Sequence, residues 1–197
     1  NELIEKLGIF AKEQNLLVQS HLSENHGEIE WVKELHPDCQ QYWETYFKYG
    51  MWKEKTLMAH CVHSDERERK AMKEYGVINV HCPDSNTNIA SGVCPVRTLL
   101  NEGVWVTLGS DIAGGSLLPM PKNIQRAIKV SKIHTIISDY KDDFLTVNEG
   151  YYLATSSGHK FFDDSIGFEK GKKLHAVIVD DSSFPIPVRE LTLQERF

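Results

Sequence analysis

The chain has 197 residues, which is long enough for one domain with a substantial hydrophobic core. Hydrophobic residues make up 41% of it and charged residues 25%, both ordinary for a soluble globular protein. The net charge of −6 at pH 7 argues against a nucleic-acid partner, because such partners usually require a basic face. No uninterrupted apolar run approaches the roughly 20 residues that a membrane span needs, so we expect no membrane partner either.

The cysteines occur without the paired spacing of a redox or zinc motif. A chain of this length does not need a disulfide scaffold. We therefore expect a cytoplasmic location and free thiols at Cys39, Cys61, Cys82 and Cys94.

Short apolar segments alternate with amphipathic ones along most of the chain. In chain order, the pattern predicts helix 1–13, strand Leu16–Ser23, helices Glu28–Leu35 and Gln40–Lys48, strand Thr56–Cys61, helix Asp65–Tyr75, strand Val77–Cys82, helix Val96–Glu102, strand Val104–Ser110, helix Lys122–Ile137, helix Thr146–Ser156 and strand Leu174–Val179. Strands that alternate with helices are typical of a parallel sheet with helical crossovers. Half of a (β/α) barrel or part of an open doubly wound sheet would fit, although no glycine-rich dinucleotide turn follows any strand.

Both ends of the chain interrupt a pattern. The chain begins at Asn1 inside a helical pattern, and it ends at Phe197 just after the alternating segment Leu191-Thr-Leu-Gln. We interpret the sequence as an internal fragment, or as the ordered part, of a longer protein.

Histidine or an acidic residue closes each of the first four predicted strands. His21, with Glu24 just beyond it, His60, His81 and Asp111 hold these positions. In barrel enzymes the carboxyl ends of the strands carry the active site. Each residue alone could be structural: a satisfied core histidine, a helix N-cap aspartate or a solvated glutamate. Their coincidence at one edge favours a functional site.

Imidazole and carboxylate groups are what a hydrolytic metal centre needs. Nitrogen and oxygen ligands suit Zn²⁺, which lowers the pKa of a bound water towards neutrality and so makes a nucleophile. A carboxylate beside the metal can then carry protons. A structural zinc site from Cys61-Val-His63 and His81-Cys82 is an alternative, but these adjacent pairs do not easily converge on one tetrahedral ion.

Four motifs follow one another along the chain, namely His21-Leu-Ser-Glu24-Asn25, Ala59-His60, His81-Cys-Pro-Asp-Ser-Asn86 and Gly109-Ser-Asp111-Ile-Ala-Gly-Gly115. They resemble the successive signatures of guanine deaminases, metal-dependent members of the amidohydrolase superfamily. The Ser-Glu-Asn after the first histidine and the Asp-x-Ala-Gly-Gly after the last strand are specific to that branch. The resemblance covers roughly residues 1–180.

The resemblance implies an α/β fold, a partial TIM-like (β/α) barrel with strands five to eight and their helices. A C-terminal strand would return toward a small β-sandwich. Residues 1–145 would form the C-terminal half of the barrel, and residues 146–197 would form the terminal helix and the start of the sandwich segment.

The resemblance also implies a role for each matching residue. His21 and Asp111 would be zinc ligands from strands five and eight, with Asp111 also accepting a proton from the water. His60 would orient the zinc-activated water, and Glu24 would carry protons to the purine ring nitrogen and the leaving amine. His21, Glu24 and Asp111 would contact the substrate. The implied reaction converts guanine to xanthine and ammonia in a homodimeric enzyme with one zinc ion, while His81 and Asn86 would shape the loop after strand seven.

One departure from the family is serious, since the first-strand His-x-His pair that supplies the other two zinc ligands is absent. We therefore expect weak or no zinc binding and no activity from the isolated chain. Two alternatives remain: an amidohydrolase for another amino- or chloro-substituted heterocycle, and an inactive half-barrel. The cytidine-type deaminase fold is excluded, because it uses His-x-Glu and Pro-Cys-x-x-Cys, whereas this chain has His-x-x-Glu and no Pro-Cys.

Overall fold

The computed structural model describes residues 1–162, 167–180, 182 and 189–192. Contacts divide the chain into two compact units, Asn1–Asp164 and Ser165–Phe197. The boundary that the sequence predicts after residue 145, between the half-barrel and the sandwich segment, stays a prediction. Within the described residues, no helix is both long and apolar enough to cross a membrane.

The first unit alternates strands with helices, as the sequence pattern predicts. Its elements are α1 (Glu2–Glu13), β1 (Gln19–Leu22), α2 (His26–Leu35), α3 (Tyr42–Lys48), β2 (Leu57–His60), α4 (Glu66–Tyr75), β3 (Ile78–His81), α5 (Pro83–Asn88), α6 (Val96–Glu102), β4 (Trp105–Leu108), α7 (Met120–Ile137), α8 (Val147–Ala154) and α9 (Ser156–His159), followed by a 3₁₀ turn at Lys160–Phe162. Each of the four strands predicted in this unit is thus present in a shorter form. The sequence pattern does not predict α5 or α9.

The four strands form one parallel sheet in the order β1-β2-β3-β4. This confirms the prediction that the strands are adjacent, parallel and in sequence order. In the register, His21 lies opposite Ala59, and Leu22 lies opposite His60. The carboxyl ends of all four strands therefore meet at one edge of the sheet.

The hydrophobic core brings together residues of the sheet and of the helices. Leu22 and Met58 of the sheet are fully buried, as are Met72 of α4 and Leu99 of α6. Full burial of such a side chain is worth about 1.5 to 3 kcal/mol.

Helix ends follow the signals in the sequence. Asp65 accepts a hydrogen bond from the backbone N–H of Glu68 and caps α4, and Thr146 caps α8 in a capping box with Glu149. Gly76 and Gly103 end α4 and α6 in the left-handed conformation, which glycine adopts without steric cost.

The predicted strand at Leu174–Val179 is wrong for the described structure. These residues have no regular secondary structure, and the side chains of Leu174, Val177, Ile178 and Val179 are exposed. An alternating apolar segment becomes a strand only when a neighbouring strand accepts its hydrogen bonds. The described residues provide no such neighbour for 174–179.

Candidate active site

His21 comes from the end of β1 and lies on the sheet face opposite the core. The side chain of Leu22 is buried in the core, while that of His21 is exposed, as alternation along a strand requires. Tyr46 of α3 fixes the backbone of β1 at His21. The hydroxyl of Tyr46 donates to the carbonyl of His21 at 2.8 Å and lies 2.8 Å from Ser20 Oγ.

Glu24 follows the sharp turn at Ser23, where the backbone is left-handed with φ 46. Its backbone N–H donates to Glu28 Oε2 at 2.8 Å, and Asn25 caps α2 by accepting from the N–H of Glu28. The Glu24 carboxylate, 14% exposed, accepts a hydrogen bond from Ser91 Oγ at 2.9 Å. Contacts to both its backbone and its side chain therefore fix this glutamate.

His60 closes β2 with an unusual backbone. Its register partner Leu22 lies in the core, and in a regular strand the His60 side chain would share that face. With φ 74, the left-handed backbone instead places the imidazole 5.2 Å from the ring of His21, centroid to centroid. Its Nδ1 lies 3.5 Å from Glu24 Oε1. Left-handed backbone at a non-glycine residue is costly and concentrates at functional sites.

Asn86 of α5 sets the tautomer of the His60 ring. His60 Nδ1 lies 2.8 Å from Asn86 Oδ1, and both side chains are buried. Because the amide oxygen can only accept, the proton of the neutral ring lies on Nδ1. The other ring nitrogen, Nε2, is then a hydrogen-bond acceptor.

Asp111 stands at the start of a tight loop after β4, with φ 44. A side chain on Gly114 would come within 2.7 Å of Asp111 Oδ2, and one on Gly115 within 2.8 Å of the Ser110 carbonyl. The glycines of the Asp-x-Ala-Gly-Gly motif are therefore required by the close packing of this loop.

Asp84 anchors the same loop from α5. Its Oδ2 accepts from the backbone N–H and Oγ of Ser116 at 2.7 and 3.0 Å and from the N–H of Leu117 at 3.1 Å. Its Oδ1 lies 3.0 Å from Arg126 Nε. Burial alone would raise the pKa of this carboxyl, but the hydrogen bonds from Ser116 and the charge of Arg126 hold it below its usual range.

His81 closes β3 at the same edge of the sheet. It is fully buried opposite Leu108, and neither ring nitrogen has a hydrogen-bond partner among the described residues. Burial lowers its pKa to about 4, so the ring is neutral at pH 7. His63 belongs to a separate contact: its Nε2 donates to the Ser91 carbonyl at 2.9 Å, and its ring contacts that of His26 at a tilt of 33° with 4.0 Å between centroids.

The structure thus brings three predicted site residues, His21, Glu24 and His60, into one contact group. Asp111 lies at the same edge of the sheet: burial first, and then the carboxylates of Asp111 and Glu24, raise the pKa of the Cys82 thiol to about 12. Ser91, which no sequence signal identified, joins the group through Glu24.

The structure also tests which residues could hold a metal. Burial raises the pKa of the Cys61 and Cys94 thiols, so both are protonated when no metal is bound. Within the described residues, no group of three or more His, Cys, Asp or Glu side chains is placed to hold an ion. The imidazole of His21 and the carboxylate of Asp111 fit zinc in donor type, and they would supply part of a four-coordinate site.

Comparison with known proteins places the chain in a family. The sequence pattern described as Amidohydrolase family matches residues 1–195, and the chain belongs to this family. Guanine deaminase of Dictyostelium discoideum is 40% identical over 183 residues, which cover 91% of this chain and 40% of that protein. The crystal structure of guanine deaminase from C. acetobutylicum, with bound guanine in the active site, is similar with a TM-score of 0.80 and 47% identity, over 82% of this chain and 39% of that one.

A more distant likeness shows the fold alone. An adenosine deaminase from Xanthomonas campestris, solved with bound zinc, has a TM-score of 0.71 and 24% identity, over 81% of this chain and 35% of that one. The parallel sheet and these neighbours confirm the predicted fold class, a partial (β/α) barrel. The chain spans about two fifths of the length of the relatives it matches.

Proposed function

We propose that the complete protein containing this chain hydrolyses guanine to xanthine and ammonia. The observation that carries the proposal is the contact group at the sheet edge, where Glu24 Oε1 lies 3.5 Å from His60 Nδ1 and the His60 ring lies 5.2 Å from that of His21. The relatives named as guanine deaminases at 40 and 47% identity support it.

Zinc is the metal that this edge would hold. His21 and Asp111 would be its ligands from this chain, and the remaining protein ligands would come from elsewhere in the complete protein. When bound, zinc would supply the Lewis acidity that makes water nucleophilic at neutral pH.

Glu24 would carry the protons of the reaction. The attacking water loses a proton as its oxygen bonds to C2 of guanine, and Glu24 would deliver that proton to the ring nitrogen. The bond from C2 to the amine then breaks, and Glu24 would transfer the second water proton to the amine, which leaves as ammonia. Because Ser91 holds Oε1, the oxygen that carries protons would be Oε2.

His60 and Asp111 would complete the arrangement. With its proton on Nδ1 and facing Asn86, His60 presents Nε2 as an acceptor that would orient the attacking water. Asp111 would hold the second of the two water protons before that proton is transferred to the amine, so that one water proton ends on the ring nitrogen and the other on ammonia. Both side chains depend on left-handed backbone for their placement, with φ 74 and φ 44.

The test is turnover by the purified complete protein. Guanine, adenine and an amino- or chloro-substituted triazine are supplied separately, and ammonia or chloride release is measured together with xanthine formation. We expect ammonia and xanthine in equal amounts from guanine alone. Turnover of the triazine but not of guanine would replace guanine with another heterocycle, and no turnover of any substrate by zinc-loaded protein would contradict an enzymatic role.

The isolated chain provides a further check on the ligand set. With two of the four expected zinc positions filled from this chain, we propose that the isolated 197 residues bind zinc weakly and are inactive. Stoichiometric zinc by elemental analysis of the isolated chain would show that the ligand set is wrong.

A further inference from the structure

Ser91 lies in the turn after α5 and contacts the first motif of the site across 67 residues of sequence. Its side chain is 7% exposed, and its Oγ donates to Glu24 Oε1 at 2.9 Å. Its backbone N–H donates to the carbonyl of Asn86 at 2.8 Å. Because Asn86 also holds His60, the same short segment contacts two members of the site.

The backbone on either side of Ser91 is fixed. Its carbonyl accepts from His63 Nε2 at 2.9 Å, and the His63 ring contacts the ring of His26 with 4.0 Å between centroids. The next residue, Gly92, has φ +134, and a Cβ there would come within 2.9 Å of Val62 Cγ1, so a larger residue would not fit without a shift. The Ser91 hydroxyl is therefore held at a constant position relative to the sheet edge.

A carboxylate that transfers protons must keep one oxygen directed at the reacting atoms. A glutamate side chain has several rotatable bonds, and a single hydrogen bond to one oxygen removes much of that freedom. His60 Nδ1 is committed to Asn86 at 2.8 Å and lies farther from Glu24, at 3.5 Å. The 2.9 Å hydrogen bond from Ser91 is thus well placed to set the orientation of this carboxylate.

We propose that Ser91 is the positioning residue of Glu24: its hydroxyl holds Oε1 and leaves Oε2 directed at the substrate. Ser91 itself touches no reacting atom. The proposal rests on the proposed function, since the proton-carrying role of Glu24 belongs to that function. His63 supports the same contact from behind by fixing the Ser91 carbonyl.

The experiment compares Ser91→Ala with wild type in the complete protein. Loss of the hydroxyl should lower kcat by about 10- to 100-fold and change KM by less than about twofold, because positioning acts on the reacting geometry more than on ground-state binding. Thr87→Ala is the matched control. It removes an exposed hydroxyl of the same segment that bonds only to the carbonyls of Pro83 and Asp84, and it should leave kcat unchanged.

A double-mutant cycle separates positioning from a general structural effect. In a Glu24→Gln background, Ser91→Ala should change the residual turnover by less than about twofold, because the group on which Ser91 acts has already lost its function. The same 10- to 100-fold loss in both backgrounds, or an unchanged kcat in the single variant, would overturn the proposal.

Crystal structures of wild type and Ser91→Ala test the proposal without any turnover. We expect the Glu24 carboxylate to rotate or to occupy several positions in the variant, while His60 and Asn86 stay in place. A carboxylate unchanged in position would overturn the proposal even if guanine turnover were confirmed. If the wild-type protein turned over no aminated heterocycle, the proposed function would fail, and these structures would still decide whether Ser91 positions Glu24.

Discussion

The carboxyl edge of the sheet and the helical layer around the core follow different rules. At the edge, non-glycine residues adopt left-handed backbone, with φ 46 at Ser23, 74 at His60 and 44 at Asp111. In the layer, Asp65 and Thr146 cap α4 and α8, and Arg97 donates two hydrogen bonds of 2.8 Å to Glu149. Left-handed non-glycine residues also occur outside the edge, at Asn15, Lys55, Asp139 and Tyr140, but those at the edge are candidate site residues or adjoin them. The edge places polar side chains together, and the layer supplies stability.

The difference shows how this fold can hold the candidate site residues in strained backbone conformations. Each strained residue costs about 1 to 3 kcal/mol and persists only because its surroundings hold it. Burial of apolar residues such as Met72 and Leu99 offsets that cost. Changes in the layer should therefore alter stability and leave the chemistry intact, and changes at the edge should do the reverse.

The largest effect on stability should come from a core truncation. Leu99→Ala removes a fully buried side chain of α6 and should lower the free energy of unfolding by about 2 to 5 kcal/mol. Leu35→Ala, at a position 53% exposed, is the matched control and should cost less than about 1 kcal/mol. Urea unfolding measures both. A fall in kcat per folded molecule of Leu99→Ala would break the separation between the two regions.

The next effect concerns His81, a fully buried polar group at the end of β3 whose register partner Leu108 belongs to the core. Burial lowers its pKa to about 4, below the usual 6.5, so the folded state resists its protonation. The free energy of unfolding should therefore be unaffected by His81 above pH 6.5 and should fall by about 2 to 3 kcal/mol as the pH falls from 6.5 toward 4. His81→Leu removes the titrating group, so the free energy of unfolding of this variant should depend less on pH. Unfolding free energies of both proteins at pH 7 and pH 5 provide the measurement, and equal slopes would contradict the assignment.

The smallest effect should come from the ion pair of α6 and α8. The hydrogen bonds from Arg97 lower the pKa of Glu149 from 4.5 to about 2. Stability from this pair is complete above pH 4.5 and is lost as the pH falls toward 2. Glu149→Gln keeps the capping box but removes the charge. Since the carboxylate is 36% exposed, solvent screening limits the loss at pH 7 to about 1 to 2 kcal/mol. An unchanged urea midpoint at pH 7 would show that the pair contributes nothing.

The sequence predicts the sheet well because its signals are local. Each strand has a short apolar run, and Gly76 and Gly103 mark the helix ends before β3 and β4. The sequence predicts the bounds of the strands less well than their existence. The pattern predicts a strand over Leu16–Ser23, whereas β1 spans Gln19–Leu22. Hydrogen bonding to β2 decides where β1 begins and ends, and no local pattern records it.

The arrival of the candidate residues at one edge is predictable to the same degree. His21, His60 and Asp111 follow strands, so the parallel topology brings their backbones to one edge. The left-handed backbone that places the side chains of His60 and Asp111 has no signal in the sequence. Ser91 escapes prediction because its contact with Glu24 spans 67 residues and follows no spacing rule. The helix α5 escapes as well, because Pro-Asp-Ser-Asn-Thr-Asn lacks apolar periodicity.

The most direct test of the account is Glu24→Gln in the complete protein, with three quantities measured on one sample. Guanine turnover should fall by about 10²- to 10⁴-fold, because a glutamine cannot carry protons. Zinc content and the urea unfolding midpoint should match wild type, since the amide has the same shape and Glu24 is not a proposed ligand. Glu30→Gln, an exposed acid on α2, should leave all three unchanged. Near-wild-type turnover by Glu24→Gln with full zinc would contradict the account.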